Sequence, residues 1–291
     1  MKPAPFEYHA PDSAKDAVDL LAELGDGAKV IAGGQSLVPV LAMRLAVFDH
    51  LIDVRRISAL RGVEERGDFV WIGAATSEAE IGRSELIARR VPLLSRATPL
   101  IGHFQIRNRG TIGGSLAHAD AAAEYPAVAL ALDATVEALS PRGQREIPAA
   151  EFFTGIWTTA LEPDELLTGV SFPAATGRQG FAIDEFARRP GDFAVAGAAV
   201  AVGLDPGGRV SATGIGLFGL GPVVLRAASA EAAVVGITAS DSDPAEVGRA
   251  AVADLDSVPS DLHGSAGYRK KVGAAMVARA WEKALKEAAS D

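Results

Sequence analysis

The sequence predicts an α+β protein, and three patterns predict it. An amphipathic helix near the start runs into a short strand and a glycine pair. Short strands mixed with helical stretches follow from 60 to 175, and a strand pair turned by glycine precedes a helical end. A chain of 291 residues, 48% hydrophobic, is long enough to bury a large core in about two domains.

Residues 12 to 24, "DSAKDAVDLLAEL", repeat apolar positions at Ala17, Leu20, Leu21 and Leu24, one face of a helix. Ser13 is placed to cap its start, with Asp16 three residues on, and Gly25 to close its end. Lys29 to Ala32 read as a buried strand entering Gly33-Gly34, Val38 to Ala46 as a helix, and "HLIDV" at 50 to 54 as another strand. From 60 to 175, "FVWIGAA", "ATVEAL" and "ELLTGVSFP" read as strands of a largely antiparallel sheet, with helices over 84 to 99 and 121 to 131. "AATGRQG" is expected to be a crossing loop at the boundary. "FAVAGAAVAVGL" and "RVSATGIGLFGL" flank the turn "DPGG" at 205 to 208, a hairpin signal. Residues 229 to 289 read as helices, the last from about Ser265. The expected division is 1–175, with subdomains of about 1–55 and 56–175, and a C-terminal domain over 176–291.

Composition removes several function classes. A formal net charge of -9 argues against a surface for nucleic-acid phosphates, which relies on clustered Lys and Arg. The absence of cysteine excludes disulfides, thiol catalysis, iron–sulfur clusters and Cys-ligated zinc held by this chain alone. The five histidines show no i, i+4 pairing, so no metal site is expected. With no apolar run of spanning length and no apolar leader, a soluble cytoplasmic protein is expected.

Two loops of one chemical kind lie about eighty residues apart: "AGGQS" at 32 to 36 and "GTIGGS" at 110 to 115. Glycine permits positive φ and lets a ligand approach main-chain N–H groups without an intervening Cβ. Successive N–H donors form an anion-binding concavity, to which Ser or Thr hydroxyls add donors. Either loop alone is more often a tight turn than a phosphate site, so spacing and composition leave function open.

The wording of these stretches adds more. "AGGQSLVPVLAMRLA" and "IRNRGTIGGSLAHADAAAEYPA" closely resemble the two signature segments of the FAD-binding medium subunit of the molybdenum hydroxylases, the group of carbon monoxide, aldehyde and xanthine dehydrogenases. The resemblance extends to "HLIDVRRISALRGV", "EFFTGIWTTALEPDELLTGVSFP" and "GYRKKVGAAMVARAWEKAL". It implies an FAD-binding fold of the vanillyl-alcohol-oxidase or UDP-acetylmuramate-reductase type, followed by a C-terminal antiparallel-sheet plus helix domain. Both glycine loops would grip noncovalent FAD. Ala32, Gly33, Gly34, Gln35, Ser36 and Leu37 would form the first, and Thr111, Gly113, Gly114 and Ser115 the second.

Glu124, thirteen residues after the threonine, occupies the place of a family carboxylate and would accept hydrogen bonds from flavin polyol groups. Its alternative reading is a helix N-terminal acid favoured by the dipole. Ile101 and Gly102 sit where the family contacts the cofactor. "RRPGDFAVAG" resembles the segment that nears the isoalloxazine, and Phe193 stands where some relatives have tyrosine. The alternative for Phe193 is a core strand residue.

By this resemblance the chain has no catalytic acid–base pair and oxidises no organic substrate itself. A large subunit would hold the molybdenum cofactor and a small one two [2Fe–2S] clusters, and FAD here would pass their electrons to a final acceptor. A dimer of heterotrimers is common in the family. Rival readings are a stand-alone NAD(P)- or flavin-dependent oxidoreductase, built on the G-x-G-x-x-G match "GIGLFG" at 214 to 219, and a scaffold subunit without cofactor. A serine hydrolase using Ser115 or Ser36 with His118 and Asp120 lacks the G-x-S-x-G elbow. His103 and His118 are expected to be hydrogen-bonded structural groups.

Overall fold

A computed structural model describes residues 2–290. The first helix, Ala14–Leu24, begins where predicted: the Ser13 hydroxyl accepts from the Asp16 amide, and Gly25 closes the end at φ 56°. It buries Ala17, Val18 and Leu21 against a small three-stranded sheet. That sheet is parallel, with His50–Asp53 central between Glu7–His9 and Ala28–Ile31. Three polar residues, "EYH", carry no strand signal, and only pairing with His50–Asp53 makes Glu7–His9 a strand. The helix after the first glycine loop is shorter than predicted, Leu37–Ala42, because Arg44 turns to φ 55°.

Next comes a five-stranded antiparallel sheet in the order Val63–Arg66, Phe69–Gly73, Leu166–Pro173, Thr135–Ser140, Gly143–Pro148. Thr135–Ser140 alternates half-buried and buried positions, the period-2 pattern of a strand with one face on the core. The helix predicted over 84 to 99 is instead two, Glu85–Arg90 and Pro92–Ala97. Val91 before proline is forced to φ -136°, ψ 61°, out of the helical region.

The third sheet is antiparallel, Gln179–Phe186, Ala196–Leu204, Val210–Phe218 and Leu225–Arg226, its central hairpin turned at 205–208 as expected. Gln179–Phe186 begins inside the expected crossing loop, so "AATGRQG" is loop only in its first part. The helix Ala266–Ser290 covers one face of this sheet, and a Cβ at Gly180 would overlap the Ala284 carbonyl oxygen. Against the other face lies the helix Glu124–Ala131, every residue of which is buried. A helix apolar on all sides belongs inside a core. Its surroundings draw on both the five-stranded and the four-stranded sheet, Val136, Val170 and Phe172 on one side and Phe181, Ala199 and Phe218 on the other.

Polar ties join the same parts. The Arg96 guanidinium meets the Glu287 carboxylate at 2.5 Å, and Glu287 Oε2 also accepts the Phe181 amide at 2.9 Å. Buried Arg269 donates to the carbonyls of Val195 (2.6 Å) and Gly219 (3.1 Å) and pairs with Asp261 at 2.7 Å.

Candidate functional site

The strand Ala28–Ile31 delivers the chain into the first glycine loop, and Gly34 reverses it at φ 73°. The turn is closed by Val38 N–H donating to the Gly34 carbonyl at 3.0 Å and by the Gln35 side-chain amide folding back onto the Gly33 carbonyl at 3.0 Å. The amides of Gly33, Gly34, Gln35, Ser36 and Leu37 donate to no backbone carbonyl among the described residues. Five successive N–H groups are therefore available at the start of the helix Leu37–Ala42.

The second loop lies directly against the first. A Cβ at Gly33 would overlap the Arg109 carbonyl oxygen and come within 2.8 Å of Gly110 Cα, while one at Gly114 would stand 4.0 Å from Ala32 Cβ. Residues separated by about eighty positions thus share one surface. Thr111 caps the helix Ile112–His118, its hydroxyl accepting the Gly114 amide at 3.1 Å.

The two loops differ in one respect. In the second, Ile112 N–H bonds Thr76 O (3.2 Å), Gly113 N–H bonds Ala74 O (2.9 Å) and Ser115 N–H bonds Thr111 O (2.9 Å). Its glycines serve close approach, since a Cβ at Gly113 would lie 2.6 Å from that of Ala74. Free amides are concentrated in the first loop.

Glu124 opens the buried helix and is itself buried. Burial, reinforced by the nearby Glu185, Glu78 and Asp120 carboxyls, pushes its pKa up to about 8. It is therefore mainly protonated near neutrality, and a neutral carboxyl donates one hydrogen bond as well as accepting. Glu124 is also the first residue of that helix, the position from which the dipole reading starts.

Glu78 was missed by sequence reasoning. Its carboxyl fills the space a Cβ would take at Gly110 and is buried, with Oε2 unpartnered among the described residues. Desolvation raises its pKa to about 7, opposed by the Arg107 charge. The one signal in the sequence was the glycine opposite it.

Ile101 and Gly102 lie on a turn after the helical residues Thr98–Leu100. Gly102 takes φ 46°, and its carbonyl accepts from Arg107 Nη1 at 3.0 Å. A Cβ at Gly191 would come within 2.9 Å of the Gly102 oxygen, so this turn touches the segment carrying Phe193. Phe193 is 69% exposed and precedes the strand Ala196–Leu204, which rules out the core-strand reading. It lines a cleft of about 800 Å³ together with Asp120, Trp157, Arg188, Asp261 and Arg269. His118 stands with its ring nearly parallel to that of Trp157 and its Nε2 4.0 Å from Asp120, and burial lowers its pKa. His103 is exposed and makes no side-chain hydrogen bond among the described residues, contrary to expectation.

The geometry also disposes of the G-x-G-x-x-G match. Gly214 and Gly216 lie inside the strand Val210–Phe218, where a Cβ would overlap the carbonyl oxygens of Ala131 and Ala127. They admit the buried helix and open no turn for a dinucleotide.

Residues 4–175 match the model of the FAD binding domain in molybdopterin dehydrogenase, and 181–284 that of the CO dehydrogenase flavoprotein C-terminal domain. The chain is 46% identical to the 6-hydroxypseudooxynicotine dehydrogenase complex subunit alpha of Paenarthrobacter nicotinovorans, with 99% of this chain and 97% of that protein aligned. It is 39% identical to the carbon monoxide dehydrogenase medium chain of Hydrogenophaga pseudoflava, over 96% of this chain and 97% of that one. A solved structure of carbon monoxide dehydrogenase from Hydrogenophaga pseudoflava superposes with a TM-score of 0.95 at 41% identity, covering 99% of each chain. The chain belongs to the FAD-binding medium-subunit family of the molybdenum hydroxylases.

As a medium subunit, the chain is a flavoprotein oxidoreductase component whose role is electron transfer through FAD. Such a role needs position and electrostatics more than acid–base chemistry. No helix among the described residues is long and apolar enough to cross a membrane.

Proposed function

We propose that this medium subunit holds one noncovalent FAD. Ala32, Gly33, Gly34, Gln35, Ser36 and Leu37 cradle the diphosphate, and Thr111, Gly113, Gly114 and Ser115 bound it from the second loop. The observation that carries the reading is the row of five amides at 33–37 without a backbone partner among the described residues, in a loop that Gly34 reverses. A phosphate oxygen accepts from several such donors at once, so the site requires no lysine and suits a chain of net charge -9.

Bound there, FAD supplies a carrier that accepts electrons singly and releases them singly or in pairs. The Glu124 carboxyl, buried at the start of its helix, would hydrogen-bond the flavin polyol groups. Phe193 shields the flavin ring and, lacking a hydroxyl, leaves it without a hydrogen bond from that position. Ile101 and Gly102 position the cofactor edge. In this reading residues 1–175 form the FAD-binding part, with subdomains of about 1–55 and 56–175, and 176–291 the C-terminal domain.

The partners are a large subunit with the molybdenum cofactor and a small subunit with two [2Fe–2S] clusters, assembled as a dimer of heterotrimers in the cytoplasm. The relatives' names support a place in a complex, since one is a complex subunit and another a medium chain.

The test is a visible absorption spectrum of the purified chain after incubation with FAD and removal of free ligand, with FMN as control. Flavin bands retained with FAD and lost in the double variant Gly34→Val/Gly114→Val, folded by circular dichroism, support the two-loop cradle. Retention by the double variant refutes it.

A further inference from the structure

The parallel pairing of Glu7–His9 with His50–Asp53 sets Glu7 opposite His50. Alternate residues of a strand share a face, so Glu7, His9 and His50 project from one side of the three-stranded sheet. His9 Nε2 stands 3.1 Å from His50 Nδ1, and Glu7 Oε2 lies 3.6 Å from the same His50 nitrogen. All three ligand atoms fall within 4.8 Å of one another.

We propose that Glu7, His9 and His50 form a binding site for a divalent transition-metal ion, with zinc as its preferred occupant. Two imidazole nitrogens bound to one zinc at about 2.0–2.1 Å are about 2.9–3.4 Å apart for angles between 90° and tetrahedral. The observed 3.1 Å lies inside that interval. Without metal the two rings share one hydrogen between these nitrogens, and coordination requires only that each neutral ring carry its proton on the other nitrogen. That is a change of tautomer, with no net charge lost.

The carboxylate of Glu7 supplies the third ligand and water the fourth, an open site with two histidines and one acid. Asp49 adds negative charge nearby, since its Oδ2 and the His50 ring both lie within 4 Å of the same point above Gly27. The scaffold is held from the opposite face, where the Tyr8 hydroxyl donates to the buried Asp53 carboxylate at 2.5 Å and Arg55 pairs with Asp53 at 2.6 Å. The strands that carry the two imidazoles are so anchored, while the exposed Glu7 side chain is free to close on an ion.

The site lies at the start of the central strand, whereas the first glycine loop leaves the far end of its parallel neighbour. Its role is accordingly a staple that fastens the three-residue edge strand to the sheet.

The full-length chain, stripped with EDTA and desalted, is dialysed against zinc sulfate, and bound metal is counted by atomic absorption. One zinc per chain is expected, with at least about tenfold weaker binding in His9→Ala and His50→Ala and a smaller loss in Glu7→Gln. Zinc should raise the unfolding midpoint of the wild type and not of the histidine variants. If His50→Ala does not fold, His9→Ala and Glu7→Gln, both on the edge strand, decide the matter. No zinc retained by the wild type, or equal retention by the variants that fold, overturns the proposal.

Discussion

Gly33 packs face to face against the backbone of Arg109, close enough that a Cβ at residue 33 would overlap the Arg109 carbonyl oxygen. The contact holds the two glycine loops in register. Gly33→Ala is expected to push them apart, costing about 1–3 kcal/mol of stability as overpacking does. FAD retention after desalting should fall at least about tenfold, one decade being about 1.4 kcal/mol of binding energy. Absorbance of retained flavin, read beside far-UV circular dichroism, checks it, and full retention in a folded variant would show that the loops tolerate separation.

A second expectation concerns Gly214 and Gly216. Alanine at either position meets the backbone of the helix Glu124–Ala131, so each substitution should destabilise the chain by about 1–3 kcal/mol in urea titrations. If instead they formed a nicotinamide site, the variants would keep their stability and lose NADH affinity.

The buried carboxyls set a pH dependence. Glu124 is raised to about 8 and Glu78 and Glu185 to about 7, so between the ordinary carboxylate range and these values the folded chain binds more protons than the unfolded one. Their contribution to stability is fully present below about pH 4.5, declines as pH rises, and is gone above about 8. The FAD-free wild type should accordingly be less stable at pH 8.5 than at pH 6, and Glu124→Gln should reduce that difference. An unchanged difference in the variant would mean that Glu124 is ionised in the folded chain throughout.

Phe193, exposed on the cleft, offers the opposite test. Phe193→Ala should leave stability within about 0.5 kcal/mol, as for a surface substitution. In the FAD-loaded chain, reoxidation of chemically reduced flavin should change by severalfold, measured by stopped-flow absorbance at fixed oxygen. An unaltered rate would remove Phe193 from the flavin surroundings.

Much of the fold was legible where local physics suffices. The helix capped by Ser13 and closed by Gly25, the alternating strand Thr135–Ser140 and the hairpin turned at 205–208 each carry their signal within a dozen residues. Elements that exist through long-range pairing were not. Glu7–His9 has no apolar alternation and owes its conformation to His50–Asp53, and Gln179–Phe186 is stabilised by the strand beside it and the helix Ala266–Ser290.

The candidate site divides in the same way. Its glycines stood out in the sequence because no other residue turns or packs as they do. Nothing in the residues said that the amides of the second loop would be engaged internally, or that Glu78 would fill the space beside Gly110. The approach of His9 to His50 across two strands was equally hidden, because spacing along the chain is informative about helices and silent about sheet partners.

The wholly buried helix Glu124–Ala131 bears on how this polypeptide can be divided. Cleavage in the stretch between Ala175 and Phe181, which separates the two matched family segments, would strip an oily cylinder of half its covering. Neither fragment would then be a self-sufficient module. Grafting the C-terminal part from another relative would succeed only if its strands kept glycines at 214 and 216, so the compatible donors are selected by the shape of a seam rather than by their electron acceptor.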